Sequence, residues 1–189
     1  MRKFLLGLMA LFSGWLFASD AEIVNKYYRQ LLRLDDNQLK IMLFSYKVGS
    51  QYDLGYALAA IAWKESKFGL YLMNISDGKM GSYGVYHILM DTAAVRNKLN
   101  TSWDRSRFAE RLVFDMDLCA DEAIAELTYW KRFFKRSGTP WKAMFAGYNA
   151  GHKGLNSIGG KAYADDAVLR VKALQKYFKA KGLEAKLAK

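Results

Sequence analysis

An all-α domain is what this sequence predicts, on three observations. Apolar residues recur at three- and four-residue intervals through most of the 189 positions, the spacing that lines one face of a helix. No stretch shows the every-other-residue alternation of a half-buried strand. Proline occurs once, while apolar residues make up 52% and aromatics 15% of the chain, so helices can run unbroken and a real core can form. No linker and no internal repeat divides the sequence.

Residues 1–21 read as an export leader. Arg2 and Lys3 precede an uncharged run from Phe4 to Ala18, too short for a comfortable membrane span. Cleavage after Ala21 and cleavage after Ala18 are both open, and no cysteine follows to carry a lipid anchor. The folded part is expected in the periplasm; a retained leader would hold it near the membrane instead.

Residues 22–51 read as two N-terminal helices. Ile23, Val24, Tyr27, Tyr28, Leu31 and Leu32 share one face of the first. The second follows Asp35-Asp36, carries Leu39, Met42, Leu43 and Tyr46, and stops near Gly49. Residues 52–189 form the main domain. Its first helix is expected from Asp53, as cap, to Phe68, with Gly69 as the stop; it is apolar nearly all round and therefore buried. Residues 69–84, rich in Gly with Asn74, Ser76 and Asp77, read as a loop. A short apolar stretch, Val85 to Leu89, leads to a helix from Asp91 to Leu99. Another starts at Ser102, with Phe108 and Leu112 on one face. A longer one, capped by Asp117, reaches Lys135 on a stripe of Ala123, Leu127, Trp130 and Phe134. Thr139-Pro140 opens a helix to Asn149, since proline suits the first helical position. Residues 151–160 hold four glycines and read as a loop. The last helix runs from Ala162 to Lys181, with Val168, Val171, Leu174 and Phe178 inward; its Lys-rich end reads as frayed.

Net charge is +11, which favours a polyanionic partner such as nucleic acid, an anionic membrane or an anionic wall polymer. No Arg/Lys-rich helix or nucleic-acid motif is present, so nucleic acid is not expected. A solvated basic coat without a specific partner is the plainer alternative. One cysteine and two histidines leave no intramolecular disulfide and no His/Cys zinc cluster. Cys119 reads as a small core residue.

Glu65 is the notable acid. It falls in the last turn of the buried helix, where the negative dipole end and burial both disfavour an ionised carboxylate. A carboxylic acid kept protonated is the residue type that serves as a general acid. A last-turn Glu facing solvent is the plain alternative.

Three pieces follow one another in order: Glu65-Ser66-Lys67-Phe68, then Gly81-Ser-Tyr-Gly84-Val-Tyr-His-Ile88, then Phe145-Ala-Gly-Tyr148-Asn149-Ala-Gly151. From about Tyr52 to Phe178 the chain resembles the soluble lytic transglycosylase family, whose pattern is E-S-x-F, G-A-x-G-L-M-Q-I and A-Y-N-A-G. The resemblance implies a lysozyme-like fold and cleavage of the bond between N-acetylmuramic acid and N-acetylglucosamine in peptidoglycan, with a 1,6-anhydro product and no metal or cofactor. It makes Glu65 the acid and then the base. It makes Tyr148 a partner whose hydroxyl points towards Glu65, and Ser66, Ser76, Gly84, Tyr86, His87 and Asn149 contacts around the substrate. Gly84 would let backbone approach sugar. Tyr148 and Asn149 also read as a core aromatic and a helix cap. The chain departs from the family with His87 in place of Gln, Tyr86 in place of Met, and a longer loop before Gly81. A goose-type lysozyme, hydrolysing with Asp77 as second carboxylate, and a wall-binding protein without activity are the alternatives. No protein partner is legible.

Overall fold

The computed structural model describes residues 18–187, and most of the leader assigned to residues 1–21 lies outside the described residues. The described chain is mainly helical, as expected. The first helix, α1 (Asp20–Leu31), begins inside the segment assigned to the leader. Ser19 caps it, with the Glu22 carboxylate returning to the Ser19 N–H at 2.7 Å, the reciprocal arrangement that satisfies two otherwise unpaired donors. Helix α2 (Asp36–Ser50) is capped by Asp35 in the same way with Gln38.

Helix α3 (Gly55–Ser66) is the axis of the molecule. Every residue from Ala57 to Trp63 is buried, because α2, α6 and α8 cover it on different sides. Asp53 does not cap it; Asp53 takes a left-handed backbone (φ 57°) and Leu54 stands at the cap position. Nor does Gly69 alone end it. Lys67, Phe68 and Gly69 are all left-handed, and the buried Ser66 hydroxyl ties the reversal by donating to the Ala62 carbonyl (3.0 Å) and accepting from the Gly69 N–H (2.8 Å). Phe68 is thereby folded back under α3, stacked on Trp63 at 5.9 Å.

A three-stranded antiparallel sheet follows, which the sequence reading did not foresee: β1 (Met73–Asn74), β2 (Ser82–Tyr83) and β3 (Ile88–Leu89). Strands of two residues are too short to show an alternation. The β2–β3 connection, residues 84–87, has Gly84 and His87 left-handed and closes with the His87 N–H on the Gly84 carbonyl at 3.1 Å. Then come α4 (Met90–Arg96), α5 (Ser102–Phe114), α6 (Met116–Phe133) and α7 (Pro140–Ala150). Helix α6 takes Asp115, not Asp117, as its cap, through a bond from the Leu118 N–H. Residues 151–156, read as loop, form a 3₁₀ turn, and α8 (Ile158–Lys181) starts a full turn earlier than expected because Ser157 caps it. The Lys-rich end continues into a short α9 (Leu183–Leu187). Helix α1 packs against α8, so the beginning and end of the described chain meet. Cys119 is fully buried, which pushes its thiol up to about 12, consistent with a core residue.

Candidate active site

A cleft of about 750 Å³ opens where the C-terminal end of α3 meets the β2–β3 turn, α4, α6 and the end of α7. Glu65, Asp77, His87, Asp91, Arg96, Glu126, Tyr148, Asn149 and His152 contribute to its lining. Among the described residues no group of three or more His, Cys, Asp or Glu side chains is placed to hold a metal.

Glu65 stands at the mouth of α3, its side chain 20% exposed. One carboxylate oxygen accepts a short hydrogen bond from the Tyr163 hydroxyl, and the other faces His87 Nδ1 at 3.5 Å. Tyr163 comes from the first turns of α8 and is buried. Burial, then the Glu65 charge, hold its phenol well above the usual range, so it remains a donor. The Lys64 ammonium sits 4.5 Å from the centre of the Tyr163 ring and pairs with Asp166, which also accepts from Tyr27 and Arg170. Burial alone would raise the Asp166 carboxyl, but these three donors outweigh it and hold it below the usual range. The node joins α1, α3 and α8 behind Glu65.

The structure redistributes the residues assigned by resemblance. Glu65, His87, Tyr148 and Asn149 share the cleft. Tyr148, however, does not bond Glu65. Its hydroxyl donates to the Tyr86 carbonyl at 2.7 Å and so secures the turn that presents His87. Its phenol is held high by burial first and by the Glu65 charge second. Ser66 is turned into the core, where it ties the chain reversal, and cannot reach a ligand. Tyr86 is fully buried with its hydroxyl 2.9 Å from Ser45 Oγ, so its ring joins the core and its polar end finds a partner inside. Ser76 is exposed on the loop and does not line the cleft. Gly84 serves packing: a Cβ there would lie 2.3 Å from the Leu112 carbonyl and 2.4 Å from Cys119 Sγ, at a φ of +79°.

Tyr163 is the partner of Glu65 that sequence reading missed. The inward stripe Val171, Leu174, Phe178 extends back through Ala167 to Tyr163 at helical spacing, and that extension was its signal.

Further along, Arg96 is clamped between Glu122 (2.9 Å) and Glu126 (2.7 Å), and Glu126 accepts from the Trp130 indole at 2.7 Å. Trp130 lies flat on α7, where a Cβ on Gly147 would approach its ring to 2.7 Å. Tyr129, Phe133 and His152 pack around it, giving the cleft an aromatic wall beside its carboxylates. His87 is held at the opposite wall by its Nε2 on the Tyr71 carbonyl, 2.8 Å away.

No protein-family model matches this chain, no curated protein matches it, and no solved structure matches it.

Proposed function

We propose that the protein is a peptidoglycan lytic transglycosylase, exported to the periplasm, with Glu65 as its single acid and base. The observation that carries the reading is Glu65 itself: a carboxyl at the end of a buried helix, open to a saccharide-sized cleft and touched by a hydroxyl donor. As the glycosidic bond breaks, Glu65 gives its proton to the bridging oxygen and becomes a carboxylate. Tyr163 donates to that carboxylate as its charge develops, the type of preorganised stabilisation that lowers a barrier. The carboxylate then takes the proton of the C6 hydroxyl of the same sugar. Oxygen 6 closes on the anomeric carbon, and Glu65 ends the cycle protonated. The exposed Tyr129 ring, set on the buried Trp130, offers the cleft an apolar face for a sugar, and the +11 charge of the chain suits an anionic wall polymer. The resemblance in the three ordered motifs supports the same class, and with it a lysozyme-like arrangement of the helices.

Asp77 also lines the cleft, which favours a second reading, hydrolysis with Asp77 activating water. Digestion of isolated peptidoglycan by the mature protein separates the two. Products ending in 1,6-anhydro-muramic acid, lighter by one water, support the lyase; reducing ends overturn it. Glu65→Gln should retain the fold and lose roughly 10²–10⁴-fold in rate, the usual share of a general acid. Undiminished cleavage by that variant would remove Glu65 from the chemistry.

A further inference from the structure

The contacts of His87 determine where its protons lie. Nε2 is 2.8 Å from the Tyr71 carbonyl oxygen. A carbonyl only accepts, so Nε2 carries the hydrogen of the neutral ring. Nδ1 then turns a bare lone pair towards Glu65 Oε2 at 3.5 Å. A lone pair facing an ionised carboxylate is repulsive, and a proton between them removes the repulsion. It can sit on Glu65 as a carboxylic acid or on Nδ1 as part of an imidazolium. The ring has little freedom to turn away. Its backbone is left-handed (φ 46°), its N–H is bonded to Gly84, and Tyr148 anchors the preceding carbonyl.

We propose that His87 and Glu65 hold one proton in common below the His87 midpoint, with His87 storing it in the open cleft and Glu65 receiving it when a glycan covers the pair. This rests on the glycan-cleaving reading of the site and deepens it. In the open cleft, water stabilises the imidazolium–carboxylate form. A glycan that covers the pair excludes that water and penalises both charges, which favours the neutral form. The Nδ1–H bond breaks, an O–H bond forms at Glu65 Oε2, and no other reactant is needed. Glu65 is thereby made an acid by the arrival of its substrate. His87 is a positioning residue in this scheme, since it acts through Glu65. An amide at the same place, as in the motif the chain resembles, has no proton to lend.

The groups that face the pair fit the scheme. Tyr163 from α8 donates to the other Glu65 oxygen, and Tyr148 from α7 is engaged with the Tyr86 carbonyl. Asp77, on the loop after β1, adds negative charge. Arg96 is already matched by Glu122 and Glu126. Burial by itself pulls the His87 imidazole down, but the Glu65 and Tyr71 hydrogen bonds and the Glu65 and Asp77 charges outweigh it and raise it.

The test is an NMR titration of the imidazole nitrogens in the full mature chain, wild type and Glu65→Gln, with His152→Gln used to assign the two rings. Expected in the wild type is a protonated Nε2 throughout and a His87 midpoint above that of an ordinary histidine. In Glu65→Gln that midpoint should fall by about one unit or more, the scale of a lost opposite charge at this distance. Equal midpoints in the two proteins, or hydrogen on Nδ1 and not on Nε2 in the neutral ring, overturn the proposal. The second arm is the pH profile of kcat/KM on isolated peptidoglycan. His87→Gln should lose about tenfold or more on the alkaline side of the profile relative to its own acid side; a profile of unchanged shape overturns the proposal. Coupled titration in a protein that cleaves no glycan would refute the proposed function and leave the shared proton standing.

Discussion

Replacing Tyr163 by Phe removes one hydroxyl and keeps the ring that packs α8 against α3. The hydroxyl donates to Glu65, and in the proposed reaction, once a glycan has covered the pair and Glu65 is protonated, its charge returns only as its proton leaves. A hydrogen bond to a charged group contributes about 1.5–3 kcal/mol. At about 1.4 kcal/mol per factor of ten, the loss is roughly 10- to 150-fold in rate, carried by kcat because the bond strengthens in the transition state. Tyr148→Phe is the matched control. It leaves the buried Tyr86 carbonyl without the donor now 2.7 Å away, which costs about 1–3 kcal/mol of stability, or roughly 2–4 °C in Tm per kcal/mol for a chain of this size. Its direct effect on rate should be a few-fold. The assay is release of soluble muropeptides from isolated wall, run beside a thermal melt. If Tyr148→Phe lost about 100-fold in rate with an unchanged Tm, while Tyr163→Phe stayed at wild-type rate, the assignment of the two tyrosines would be wrong.

Other consequences are equally direct. Gly84→Ala places a Cβ 2.3 Å from the Leu112 carbonyl at a φ of +79°, and chemical denaturation should show a loss of about 3 kcal/mol or more. Asp166→Asn withdraws the charge that gathers Tyr27, Lys64 and Arg170; stability should fall by roughly 1–3 kcal/mol, and limited proteolysis should cut α1 faster than in the parent. If the leader is removed as proposed, a start at Ser19 keeps the cap of α1 and the Asp20 that pairs with Lys172 at 2.9 Å, whereas a start at Glu22 loses both. Terminal sequencing of the protein recovered from the cell envelope should find Ser19 first, and a start at Glu22 would contradict it.

The helical class, most helix positions and the acid at the end of α3 were legible in the sequence, because long amphipathic or buried runs carry a strong periodic signal. The caps were misread where position alone argued, as at Asp53 and Asp117, and the reciprocal pairs Ser19–Glu22 and Asp35–Gln38 emerged only with the structure. The three short strands left no pattern to find. The site divided along the same line. Glu65, His87, Tyr148 and Asn149 line one cleft. Ser66, Tyr86 and Gly84 sit in the same motifs but spend their chemistry on the chain reversal, the core and a close backbone approach. A motif fixes which residues stand near one another along the chain; burial decides which of them face outward. Tyr163 was missed because its partner is 98 positions away, a pairing that only tertiary structure creates.

That separation has a kinetic meaning. Glu65 finds its hydroxyl donor on α8, which packs on α1, α3 and α7, so the two side chains meet only when the two ends of the described chain have been brought together with the middle. Contacts of such sequence separation form late in folding and are slow to close. They also define the region whose partial opening silences the protein before the core melts. Heat inactivation should therefore follow release of α8 and precede loss of the α2–α3 core. Amide exchange would show it as faster opening of residues 158–181 than of residues 55–66, and strengthening the α1–α8 seam would prolong activity without touching the cleft.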